Sequence, residues 1–155
     1  MAGSDQFGKS NYWAILKSIR EGRFGGLGLI GHAKMTYDFV NDGGAIGLIV
    51  PKNSPIIPAN SIILGGITDV TTGVISGGAA TISLGTTAGS SAASLKAAVI
   101  LGTEFAAGLR AVVPLFTAAT MFKMTAEGQL SMTVAAFALT GGKFDLNVIY
   151  LIGNV

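Results

Sequence analysis

The sequence predicts an all-β fold: a β-sandwich of jelly-roll-like form, preceded by an N-terminal arm that contains a short helix. Three observations lead there. Ser61 to Thr72 is a long run rich in Ile, Val and Thr, whose branched side chains suit a pleated, half-buried surface better than a helix. His32 to Val40 alternates, with Met35, Tyr37 and Phe39 on one face and Lys34, Thr36 and Asp38 on the other. Further along, about eight short strands are separated by turn signals at roughly ten-residue intervals, the rhythm of a sandwich.

In chain order, residues 1–31 stand apart as an arm and glycine hinge, and residues 32–155 form the body. In the arm, Tyr12, Trp13, Ile15, Leu16 and Ile19 recur at helical spacing between a cap at Asn11 and a stop at Gly22. A helix of about three turns is marginal in isolation, so its apolar stripe needs a surface to bury against. That surface is either the chain's own body or a partner, and the glycine-rich stretch from Gly22 to Gly31 gives the arm reach to either.

Asn41-Asp42-Gly43-Gly44 reads as a tight turn after the first strand, and Ala45 to Val50 as the second strand. Pro51, Pro55 and Pro58 deny donors to a central strand, which places this stretch at a sheet edge or corner. The run from Ile62 to Thr72 carries Gly65-Gly66, expected as a bulge within one long strand. Gly73 to Ala79 is expected to turn the chain into Ala80 to Leu84 as a glycine-rich hairpin. Ala92 to Leu101 fits a short helix or a strand equally. Strands are expected again at Leu109–Val113, Thr120–Thr125, Leu130–Leu139 and Lys143–Ile152. The last is apolar on both faces, as in a strand central to a sheet or covered by a neighbouring subunit.

Half of the 155 residues are hydrophobic and only 12% are charged, with a mean hydropathy of +0.61. A domain this small has too much surface for so few charges if it stands alone, so a membrane or other subunits must cover part of it. The membrane alternative fails on pattern. The longest uncharged run, Val70 to Leu95, is broken by Gly73, Gly77, Gly78, Gly85 and Gly89. Burial among protein subunits is the better reading. No secretion signal is expected from Met1 to Gln6.

Charge excludes another class of partner. The whole net charge of +2 sits in residues 1–23, where Lys9, Lys17, Arg20 and Arg23 face Asp5 and Glu21. This is too little for nucleic acid, but it suits an arm laid on an acidic protein surface. With no cysteine and one histidine, neither a thiolate metal site nor a cofactor is expected.

Two motifs arise by accident. Gly3 to Ser10 satisfies the phosphate-loop expression without a strand to deliver it, and Gly26 to Gly31 satisfies the dinucleotide fingerprint but runs into a strand, not a helix. His32 lacks a nucleophile elbow, and among Asp38, Asp69, Glu104, Glu127 and Asp145 nothing in the sequence brings two together. No catalytic residue is expected, and the chain is read as a non-enzyme.

From Tyr37 onward the sequence resembles the capsid decoration proteins of tailed bacteriophages, also called cement or head-stabilising proteins. The resemblance is carried by Tyr37-Asp-Phe, Asp42-Gly-Gly-Ala, Pro55-Ile-Ile-Pro-Ala-Asn-Ser-Ile-Ile-Leu-Gly-Gly, Asp69-Val-Thr-Thr, Thr81-Ile-Ser-Leu-Gly, Leu95-Lys-Ala-Ala, Val113-Pro-Leu-Phe, Leu130-Ser-Met-Thr-Val and Lys143-Phe-Asp-Leu-Asn-Val-Ile-Tyr. It implies a compact β-domain, commonly a homotrimer, on the outer surface of the virion, where it ties neighbouring major capsid protein subunits together. Phe7, Tyr12, Trp13, Ile15, Leu16, Ile19 and Arg20 are the residues expected to contact the capsid, since aromatics and Arg are enriched at interfaces. Pro51, Pro55 and Pro58, with Val148 and Tyr150 on the final strand, are the expected homo-oligomer contacts. A head fibre or adhesin module binding carbohydrate or a bacterial surface is the alternative; glycan binding separates the two.

Overall fold

A computed structural model describes residues 30–88, 93–115 and 117–152. Among the described residues ten strands make two five-stranded antiparallel sheets. They are β1 (Ile30–Asp38), β2 (Gly47–Ile49), β3 (Ile56–Ile57), β4 (Ile62–Ser76), β5 (Thr81–Thr86), β6 (Lys96–Ile100), β7 (Gly108–Leu115), β8 (Phe122–Lys123), β9 (Gly128–Ala135) and β10 (Leu139–Leu151). The first sheet runs β1-β10-β4-β7 with β8 also on β4; the second runs β2-β9-β5-β6 with β3 also on β9. The chain repeatedly crosses between the sheets, and this order is that of a jelly roll.

The alternation read from β1 is what builds the core. Ala33, Met35 and Tyr37 point inward and are buried, as are Phe144, Leu146 and Val148 on the neighbouring β10. From the second sheet, Ile82 and Leu84 of β5 and Leu130, Met132 and Val134 of β9 meet them in one cluster. Tyr37 and Phe144 pack with ring centroids 5.2 Å apart. Phe105, delivered by a single 3-10 turn at Thr103–Phe105, closes on Phe144 at 5.7 Å. Tilted pairs at these distances add to the area term of burial.

Several boundaries differ from expectation, each for a physical reason. Phe39–Asp42, expected to continue the strand into a turn, forms the one-turn helix α1, because the Asp38 carboxylate caps it by accepting from Val40 N at 3.0 Å. The expected β4–β5 hairpin does not exist. β4 pairs with β10, β7 and β8, whereas β5 pairs with β6 and β9, so Gly77 to Ala80 carries the chain from one sheet to the other. β4 also runs through Gly73 to Ser76, since β10 starts early and pairs with that extension.

That early start uses Gly142, at φ +130°. A Cβ there would sit 2.6 Å from the Val74 backbone, so only glycine lets β10 shift register beside β4. The ambiguous Ala92–Leu101 segment yields β6, which completes the edge of the second sheet. Between Thr120 and Thr125 only Phe122–Lys123 pair as strand. The proline stretch lies at an edge as expected, with only Ile56–Ile57 pairing, onto β9. No helix among the described residues is long and apolar enough to cross a membrane.

Candidate interaction surface

The side chains that alternate away from the core on β1, β10, β4 and β7 form the outer face of the first sheet. Registers align them into rows: Lys34 with Asn147 and Ile67, Thr36 with Asp145 and Asp69, and Ile30 with Leu151 and Ile62. The face divides in two. At one end are ion pairs; at the other, where β1 begins and β10 ends, it is apolar.

In the polar half, Lys34 Nζ lies 2.8 Å from Asp145 Oδ2, and Thr36 Oγ1 donates to Asp145 Oδ1 at 2.5 Å. Partial burial pushes the Asp145 carboxyl up, but the bonds from Lys34 and Thr36 outweigh it and hold the group below its ordinary value. Lys143 Nζ pairs with Asp38 Oδ2 at 3.0 Å, and that bond, with the one from Val40 N, lowers Asp38 as well.

A polar cleft of about 250 Å³ adjoins these pairs, lined by Asn41, Asp42, Lys52 and Asn53 among others. Its groups mostly satisfy the local backbone. Asp42 accepts from Asp38 N at 3.0 Å and Lys52 N at 3.4 Å, and Asn53 Oδ1 accepts from Thr36 N at 3.2 Å. The cleft is thus a brace for α1 and the free edge of β1. Beneath it the Tyr37 hydroxyl donates to Gly43 O at 2.8 Å, and burial, with the nearby charges of Asp42 and Asp38, pushes Tyr37 up to about 12. Among the described residues no three His, Asp or Glu side chains converge as a metal site would require.

The apolar half contains a groove of about 330 Å³ that crosses all four strands, from His32 on β1 over Ile149 and Asn147 on β10 and Ile67 on β4 to Leu109 on β7. His32 Nε2 lies 3.1 Å from Asn147 Oδ1 and closes one end. Large apolar side chains stand open around it: Ile30 is 66% exposed, Leu109 65% and Ile67 48%. Single exposed apolar residues are ordinary, but a contiguous group marks a contact surface.

Asp69 lies in this groove, opposite Asp145 in the register. Two carboxylates directly across a strand pair repel. Lys34 neutralises Asp145, while no described residue pairs with Asp69. The groove is therefore apolar with one negative charge that no described residue compensates.

The residues singled out from sequence fall as follows. Phe7, Tyr12, Trp13, Ile15, Leu16, Ile19 and Arg20 lie outside the described residues. Pro51 is buried and Pro55 and Pro58 are half-buried, in a loop held to β9 by Ser54 Oγ donating to Leu130 O at 2.7 Å and Gln129 Nε2 donating to Ser54 O at 2.8 Å. Val148 and Tyr150 need correcting as interface residues. Both face inward, Val148 completely buried, so they serve the chain's own core and leave nothing for a partner. The open side of β10 is carried by Asn147, Ile149 and Leu151. Sequence reading missed the groove, because its walls come from strands far apart in the chain; the signal within reach was the apolar second face of β10.

No protein-family model matches the chain, and no curated protein matches it. Solved structures do. One chain of the acidic stable capsid structure of Helicobacter pylori bacteriophage KHP30 superposes with a TM-score of 0.56 at 13% identity, covering 81% of this chain and 89% of that one. A chain of the cyanophage Pam1 capsid asymmetric unit gives 0.56 at 16% identity, covering 83% and 88%. A chain of the capsid of Ralstonia phage GP4 gives 0.53 at 19% identity, covering 81% and 86%. What they share is the fold. The similarity covers about four fifths of this chain, so this jelly roll is one that occurs in phage capsids.

Proposed function

We propose that this chain is a structural virion protein that binds the outside of a phage capsid and stabilises contacts between major capsid protein subunits. The observation that carries the reading is that its fold recurs in chains of three phage capsid structures, over more than four fifths of this chain and of each of those. Its surface chemistry supports the same conclusion. The exposed apolar half of the first sheet, on a chain with 12% charged residues, suits a protein that functions covered by others.

In this reading the protein works without catalysis or cofactor, as a homo-oligomer, with a trimer the expected number. Each copy buries area across a joint between capsid subunits, and many copies add their contributions around the shell. The arm supplies the capsid contact through Phe7, Tyr12, Trp13, Ile15, Leu16, Ile19 and Arg20, aromatic, aliphatic and arginine side chains that serve as interface anchors. The glycines from Gly22 to Gly31 let it reach a joint that the rigid body does not touch.

The test removes residues 1–22 and measures folding, assembly state and cosedimentation with empty phage capsids. The body is expected to stay folded and oligomeric, with capsid affinity down by about tenfold or more, which is about 1.4 kcal/mol or more. Unchanged affinity would overturn the assignment of the arm.

A further inference from the structure

We infer that the apolar groove on the outer face of the first sheet is the resting site of the chain's own N-terminal segment, Tyr12 to Arg20, in the protein free of other partners. Ile30 opens β1 at the apolar end of that face, in the row with Leu151 and Ile62 and two residues from His32 at the groove's edge. Twenty-nine residues precede it. The nine from Gly22 to Ile30 span about 30 Å when extended, ample to turn back over a four-strand face about 14 Å wide.

The segment and the groove match in length, polarity and charge. About ten residues of helix measure about 15 Å, the width of the groove across β1, β10, β4 and β7. Helical spacing puts Tyr12, Trp13, Leu16 and Ile19 on one side, and Arg20, four residues after Leu16 and seven after Trp13, shares it. The groove offers Ile67, Leu109 and Ile149 to the apolar residues, and Asp69, which no described residue pairs, to Arg20, the cation that shares the stripe. Asp69 is exposed, and an apolar stripe laid over it would strip its water, so a stripe that brings an arginine to it is what this groove selects. Attachment at Ile30 makes the contact intramolecular and raises the effective concentration of the segment over its own groove.

The inference goes beyond capsid binding and does not depend on it. One apolar stripe cannot occupy the groove and another protein together, so the groove shields the arm until a better surface competes for it.

Trp13, the only tryptophan, reports the contact in the full-length protein. Acrylamide quenching of its fluorescence, without capsids, is expected to show a shielded indole. Leu109→Lys and Ile67→Lys are each expected to raise the quenching constant several-fold. Arg20→Asp and Asp69→Arg should each do the same, and the two together should restore shielding. Asp69 is exposed on the outer face of the sheet, so its variant leaves the core unchanged. Trp13 open to quencher in the unaltered protein overturns the inference, as does shielding that none of the groove variants changes. Shielding lost on dilution overturns it in favour of the groove of a second copy. Capsid cosedimentation of the same variants keeps this result distinct from the capsid reading.

Discussion

Gly66 shows how closely the two central strands of the first sheet approach. A Cβ at this position would lie 2.6 Å from the Asn147 carbonyl oxygen and 2.9 Å from Val112, so a side chain has no room without moving the backbone of β10. Gly66→Ala is expected to destabilise the body by about 2 kcal/mol, the scale of overpacking in a filled core, measured as a lower urea midpoint. Leu146, fully buried on β10, is the opposite case. Leu146→Ala leaves a cavity and should cost about 3 kcal/mol by the same measurement. Tyr37 couples the core to the α1 brace. Its value of about 12 lies above that of the unfolded chain, so it contributes stability that is complete below about pH 10 and is lost as the pH rises toward 12. Tyr37→Phe should remove that alkaline loss and cost about 1 kcal/mol at neutral pH for the bond to Gly43 O.

Among the elements, β10 decides most of the architecture. It lies between β1 and β4, buries Phe144, Leu146 and Val148 on one side and shares the ion pairs and the groove on the other. Its outward carboxylate Asp145 is held below its ordinary value, so the stability it adds is present above about pH 4 and is lost as the pH falls through the lowered value. Asp145→Asn should make acid unfolding less steep below that pH, read from urea midpoints across an acid series. At this scale the sequence was a good guide where one pattern acted alone. The alternation of β1, the two apolar faces of β10 and the Gly65-Gly66 bulge in β4 were all legible, the bulge appearing as a register shift against β7. It misled where a partner strand decided the outcome. Glycines at Gly73 to Gly78 look the same to the chain whether the turn makes a hairpin or crosses between sheets, and only pairing with β10 and β9 distinguishes them. Val148 and Tyr150 failed for the same reason. A strand apolar on both sides does not announce which face turns to the core.

For the whole molecule, the sandwich and its jelly-roll form were readable from strand rhythm, while the surface that would meet other proteins was not. Ile30, Ile67, Leu109 and Ile149 come from four different strands, and only the sheet order assembles them. Composition did carry the coarser message, that so few charges leave apolar area needing cover. The measurement that tests the central claim most directly is the thermal disruption of empty phage capsids with and without the full-length protein bound. The account predicts that saturating protein raises the disruption temperature and that removing residues 1–22 abolishes the increase. Capsids that neither bind the protein nor gain any resistance to heating would contradict it.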